Sequence, residues 1–458
     1  MSDYPMLISN KLHSFRNFMR TNIRIPMRTL LATIALFLLT PTLCAQQLPA
    51  SFGKEATRGE VAVYPTQAEA TAGERSSKYL TRLEGWTREG NRFTTPFTVP
   101  FAWANRQVLF HISAATADYE VYVNGKQVAY NANSCNPAEF NITRAVHEGR
   151  NTLEVVLSNP SPLAPLESWR EESAQAAIGQ TWVMSQPTMY IRDYYARTWL
   201  SDTTAMAEIT VVVKSGALNP RTSRVYCELL APSGEQVLFD HKELTLDMRR
   251  EDTLRFLTPI PKNLLWSDEL PTRYTLRLRT QHEGRYGEYI EAKVGFRALE
   301  WREGRLLLNG QPVTLRTAEV APYIQPQELA LLREQGYNTL RVKAGAEVPG
   351  FYNTCDEMGL MVIAQAPLNT SRSGNSRRKG GNPTNDPRWK GAYIERTTDS
   401  YYSARRHCSV IAFSLAENSS NGTNLYDSYL TMKQLGDERP VIYPAAEGEW
   451  NTDLVVTE

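Results

Sequence analysis

Histidine and cysteine are scarce in this chain of 458 residues, at six and five. None of them stands at the paired spacings by which Cys and His hold zinc. Past residue 45 the histidines are His111, His147, His241, His282 and His407, and the cysteines are Cys135, Cys227, Cys355 and Cys408, all far apart. That scatter argues against a metal site, points to no cofactor, and favours core thiols over disulfides. An excess of one charge is lacking too. Fifty Lys and Arg against 49 Asp and Glu leave a formal net charge of +1, which removes the electrostatic case for a nucleic-acid partner.

Long hydrophobic runs are absent, with one exception. Met27-Arg28 precede an apolar stretch from Thr29 to Leu39, followed by Pro41 and the small-residue exit Cys44-Ala45. The stretch is too short to span a bilayer, which needs about 20 residues. It has the three parts of a secretory signal peptide. The expectation is a start at Met27, cleavage after Ala45 to leave Gln46 first, and secretion across an inner membrane into a periplasm, with no membrane span. Lipidation at Cys44 is the other reading, against which stands bulky Leu43 where a small residue is expected. Removing residues 1–45 takes away five basic residues and one acid, moving the formal net charge from +1 to −3.

What is present is ordinary for a soluble globular protein, at 42% hydrophobic and 22% charged residues, and the length suits about three domains. Residues 46–197 read as short alternating strands. Val108–Ile112 and Tyr119–Val123 alternate, and Asn124-Gly125 leads directly into Lys126–Tyr130, the strongest short signal for a hairpin. Residues 198–297 read as a second all-β unit, with strands near Ala207–Val213, Arg224–Leu230, Thr253–Leu257 and Tyr274–Arg279, spaced as in an immunoglobulin-like sandwich. From 298 to 458 strands alternate with helices, the pattern of a parallel sheet.

The order and spacing of Tyr122-Val123-Asn124-Gly125-Lys126, Pro137–Thr143 and Gly149–Leu153 resemble the N-terminal jelly roll of glycoside hydrolase family 2, and Ile191–Tyr194 looks like its last strand. Asn338–Arg341, Cys355–Leu360 and His407–Leu415 resemble the start of that family's (β/α) barrel. The resemblance implies a multidomain β plus α/β fold: a jelly-roll β-sandwich, an immunoglobulin-like β-sandwich and a partial TIM-type barrel with about five of eight strands. It also implies a carbohydrate ligand and β-galactosidase-, β-glucuronidase- or β-mannosidase-like chemistry.

The family's acid/base strand ends in Gly-Asn-Glu-Ser, where the Glu donates the proton. Here the aligned residues are Ala416-Glu417-Asn418-Ser419. An amide has no proton to deliver, and retaining hydrolysis needs two carboxyl groups. Asn418 therefore holds the family's catalytic position. Glu417 takes the place of an Asn that touches the sugar and is the weaker catalytic candidate. Other family positions differ as well, at Ala318–Ala321, Val342–Gly345 and Ala364-Gln365. Arg341 and Gln365, at the ends of the second and third barrel strands, are the candidate ligand contacts, with an ion pair from Arg341 to Glu417 or Glu319 as the simpler role.

The resulting expectation is a secreted pseudoenzyme of carbohydrate metabolism that binds a glycan or a partner without hydrolysis. An active β-glycosidase using Glu417 with Glu447 or Glu449 is the alternative, and an envelope scaffold protein is a third. Two further expectations concern particular segments. The Arg- and Lys-bearing stretch 369–385 reads as a solvated loop, and the unclosed sheet edge near Val441–Tyr443 requires cover from the 444–458 tail, the jelly roll or a homodimer partner.

Overall fold

The structure, a computed structural model, describes residues 48–454 apart from 74, 75, 172, 173, 249, 377 and 379. The signal segment and the Cys44 alternative lie outside the described residues. No helix among those described is long and apolar enough to cross a membrane.

The first unit is a sandwich. One sheet runs in the order Thr87–Glu89, Arg92–Val99, Gly149–Leu157, Tyr119–Val123, Lys126–Asn131, the other in the order Leu80–Arg82, Thr181–Gln186, Gln107–Ile112, Ala138–Asn141. Every second residue of Gly149–Leu157 is buried, so Leu153 and Val155 meet Phe110, Phe140 and Val183 of the facing sheet in one core. Asn124 and Gly125 both take positive φ, 52° and 78°, as the predicted two-residue hairpin requires.

A second sandwich packs Met189–Leu200, Ala205–Ser215 and Glu251–Ile260 against a sheet ordered Gln236–Leu246, Arg221–Leu230, Tyr274–His282, Arg285–Val294. Here the expectation for Ile191–Tyr194 is corrected. These residues belong to the twelve-residue strand Met189–Leu200, which pairs with Ala205–Ser215 of the second sandwich. A strand closing one domain and a strand opening the next have the same alternation, so only the pairing decides between them.

An antiparallel lead-in, Leu299–Arg302, Arg305–Leu308 and Gln311–Val313, precedes the α/β unit. Its parallel strands are β1 (Thr317–Val320), β2 (Thr339–Val342), β3 (Met361–Gln365), β4 (Val410–Ser414) and β5 (Val441–Ile442), in that spatial order. Between them run α1 (Pro326–Glu334), α2 (Phe351–Met358), α3 (Lys390–Ala404) and α4 (Thr423–Gln434). The outer face of the sheet buries Val320, Leu340, Val342, Val362 and Phe413 against Leu329, Phe351, Tyr393 and Leu425 of the helices. On the inner face Met361, Ile363 and Ile411 pack against Trp266, Leu306 and Leu308. All four described cysteines are free and buried.

The outer edge of β5 is covered by the tail. Asp453 N–H donates to the Val441 carbonyl at 2.8 Å, Val441 N–H donates to the Asp453 carboxylate at 2.7 Å, and Tyr443 N–H donates to Thr452 Oγ1 at 3.1 Å. The N-terminal segment straps the first sandwich to α3, with Lys54 Nζ between Glu395 and Asp399 at 2.6 and 2.7 Å.

Candidate active site

The C-terminal ends of β1 to β5 form a rim, and in (β/α) barrels this is the end that carries ligands. After β4 the chain runs through Leu415 and Ala416 to Glu417, whose N–H donates to the Leu368 carbonyl at 2.8 Å. The Glu417 carboxylate crosses to β2 and accepts from Ala344 N–H at 2.8 Å. Asn418 turns the chain with φ of 40°. Asn tolerates this left-handed region better than most side chains because its short amide crowds the backbone little. Asn418 is exposed and Glu417 half-buried, and the side chain of Asn418 hydrogen-bonds to no described residue.

Arg341 pairs with Glu319 of β1 at 3.3 Å, the simpler of the roles expected for it. Gln365 is 2% exposed, and its Nε2 donates to the Ala366 carbonyl at 3.0 Å. The alternative carboxylates Glu447 and Glu449 follow β5 and are exposed.

The first sandwich reaches this rim. Asn369 pairs in parallel with Glu167 on one side and Glu417 on the other. Glu167 is itself buried, and its carboxylate accepts from Arg396 of α3 at 2.8 Å and from Arg170. Burial alone would raise the Glu167 pKa, but the charges of Arg170 and Arg396 outweigh it and hold the carboxyl below its ordinary range. Two residues on stands half-buried Trp169. Its indole Nε1 lies 3.7 Å from the point a Cβ on Gly345 would occupy. Gly345 has φ of 152°, and a Cβ there would also come within 2.6 Å of Pro322, so loops after β1 and β2 and the Trp169 loop can converge only around a glycine.

The basic stretch 369–385 is corrected in part. Thr370, Asn382 and Thr384 are buried. The Asn382 amide donates to Gly374 O and Thr370 Oγ1 at 2.7 and 2.9 Å, and its oxygen accepts from Thr384 Oγ1 at 2.7 Å. Satisfied buried amides anchor the loop, while Arg372 and Arg378 stay exposed. Arg377 and Lys379 are outside the described residues.

The family model for the sugar binding domain of glycosyl hydrolases family 2 matches residues 87–185, the one described as glycosyl hydrolases family 2 matches 189–297, and its TIM barrel domain matches 323–457. The chain belongs to glycoside hydrolase family 2. Among its curated family 2 relatives, the beta-galactosidase of Vibrio cholerae is 29% identical over 348 residues, 71% of this chain and 33% of the relative. That of Priestia megaterium is 26% identical over 77% of this chain and 36% of the relative. The chain thus spans about a third of the length of these curated relatives. A Bacteroides uniformis beta-glucuronidase structure superposes with a TM-score of 0.67 at 17% identity, over 80% of this chain and 48% of that one. A family 2 member from Bacteroides cellulosilyticus gives 0.65 at 15% over 91% and 55%. At such identities these structures show a shared fold.

Two features of the rim escaped the sequence. Nothing in the residue pattern marks the Ala344 amide as the partner of Glu417, because a backbone N–H has no sequence signature. Trp169 stands at the rim while Trp103 and Trp182 of the same sandwich are buried, a difference that only the fold makes.

Proposed function

We propose that this family 2 chain binds a β-linked carbohydrate at the rim of β1 to β5 without cleaving it. The observation that carries the reading is Asn418 at the position where the family pattern has its proton donor. Glu417 does not replace that donor, since its carboxylate is turned away to the Ala344 amide and acts as an acceptor. Asn418, exposed and unpartnered, offers a donor and an acceptor to sugar hydroxyls, and the Trp169 ring offers a stacking face.

Loss of general-acid help costs about 10² to 10⁴ in rate where the leaving group needs the proton, so β-galactosides and β-glucuronides with alkyl leaving groups should be hydrolysed at least a hundredfold more slowly than by a chain with a carboxyl at this position. A glycan array should show binding that falls at least tenfold in Trp169→Ala. The exposed carboxylates of Glu447 and Glu449 favour the second reading, an active β-glycosidase working with Glu417. Steady nitrophenol release that disappears in Glu417→Gln would establish it and overturn the proposal. An array without signal would leave the scaffold reading.

Export is part of the same proposal, resting on the Met27–Ala45 segment. N-terminal sequencing of periplasmic protein should begin at Gln46, and an intact Met1 in the cytoplasm would refute it.

A further inference from the structure

Asparagine is among the thermolabile residues, and it loses its amide by a defined route. The main-chain nitrogen of the next residue attacks the side-chain amide carbon. The reaction therefore needs a small next residue, a free N–H there and an untethered amide. Six asparagines of the chain precede a glycine or a serine, namely Asn124, Asn133, Asn309, Asn375, Asn418 and Asn421.

The fold ties down four of them. Asn124 donates to the Ala145 carbonyl at 3.0 Å and to Asn151 Oδ1 at 2.9 Å, and its own oxygen accepts from Thr152 N–H at 2.9 Å. Asn309 donates to the Trp266 carbonyl at 3.0 Å and accepts from Ala298 N–H at 3.1 Å. Buried Asn133 donates to Asn136 and Asp399, both at 2.9 Å, and buried Asn421 exchanges bonds with Asn451 at 3.0 and 2.9 Å. An amide held in this way must break those bonds before its carbon can swing onto the chain.

Asn418 is held by none. It is exposed, its side chain bonds to no described residue, and the N–H of Ser419 has no acceptor among the described residues. The rest of Ser419 is engaged. Its Oγ accepts from Thr370 N–H and donates to the Glu417 carbonyl, both at 3.1 Å, and its carbonyl accepts from the Tyr443 hydroxyl. The one polar group of Ser419 left over is the attacking nitrogen, and it stands next to a free amide. Asn375, exposed in the stretch 369–385, also has an amide bonded to no described residue and serves as an internal standard.

We propose that Asn418 is a modification site at which the folded chain deamidates itself. The Ser419 nitrogen forms a bond to Asn418 Cγ as the amide leaves with the nitrogen's proton as ammonia, closing a succinimide. Water then opens the ring to aspartate or its isopeptide isomer. The reaction stands on this geometry alone. Its consequence rests on the reading of Asn418 as the family's proton-donor position, because either product puts a carboxylate there, beside Glu417.

Peptide mapping by mass spectrometry tests the proposal on the purified chain, incubated folded at mildly alkaline pH and, in parallel, unfolded in urea. Fragmentation assigns each amide-to-acid mass gain to a residue. In the folded chain Asn418 and Asn375 should convert at least tenfold faster than Asn124, Asn309 and Asn421. In urea the three Asn-Gly pairs should convert first, because glycine has no Cβ to crowd its nitrogen. An Asn418 that stays unchanged in the folded chain, or that converts there no faster than the Asn-Gly pairs, would overturn the proposal. The readout needs no glycan, so failure of the sugar-rim reading is seen separately.

Discussion

Two carboxylates of the α/β unit have opposite electrostatics. Asp356 accepts from His407 Nδ1 at 2.7 Å, Ser409 N–H at 2.8 Å and Cys408 Sγ at 3.3 Å. Glu347, in the loop after β2, has one side-chain donor, the Tyr352 hydroxyl at 2.8 Å. Burial disfavours charge at both. The charge and hydrogen bond of His407, with those from Ser409, overcome it at Asp356, whose pKa falls below 3.8, whereas Glu347 is pushed up to about 7. Tyr352, the donor to Glu347, stacks on His407, the donor to Asp356, with ring centroids 5.3 Å apart. Two carboxylates on either side of one aromatic pair thus differ because Asp356 has a cationic partner and Glu347 has none among the described residues.

The largest effect is expected beside Asp356. Trp266 is fully buried and its Nε1 donates to the Asp356 carbonyl at 2.8 Å, so Trp266→Ala should cost about 3 to 5 kcal/mol in urea unfolding. A loss below about 1 kcal/mol would show that the packing around Trp266 and its bond to Asp356 do not hold this region together.

The two carboxylates should next give pH dependences of opposite sign. Asp356, with a lowered folded pKa, contributes stability that is present above pH 3.8 and lost as pH falls through the folded value. Asp356→Asn should therefore cost about 2 to 3 kcal/mol at neutral pH and flatten the acid limb. Glu347, with a raised pKa, contributes stability present below pH 4.5 and lost as pH rises through about 7. Glu347→Gln should gain about 1 to 2 kcal/mol at pH 8 and nothing at pH 4, read from melting curves across pH. Parallel profiles for the two variants would contradict the contrast.

Smaller effects sharpen it. Asp453 joins β5, Tyr429 and Lys433, and Asp453→Ala should lower stability by about 1 kcal/mol and promote concentration-dependent association in sedimentation as the strand edge opens. Glu417→Gln at the rim should leave stability within about 0.5 kcal/mol, because an amide oxygen still accepts from Ala344, while glycan binding changes.

Much of this architecture is legible in the residues. Alternation gives Val108–Ile112 and Tyr119–Val123, Asn124-Gly125 gives its hairpin, and the strand-then-helix rhythm gives the parallel sheet. The rim is legible only in part. Glu417 and Asn418 are visible as a polar pair ending an apolar strand, but the bond from Glu417 to Ala344 joins positions 73 residues apart. The pairing of Arg341 with Glu319 could be named beforehand only as one of two options, since β1 and β4 both stood within reach.

By itself the sequence determined the local structure and the chemical inventory: which segments become strands, and that an amide stands at Asn418. These follow from period and side-chain type, which act over a few residues. The tertiary structure alone decided that Ile191–Tyr194 joins the second sandwich and that Asp453 seals β5. Each depends on which distant backbone or charge comes within a few ångströms, and neither propensity nor spacing encodes that proximity.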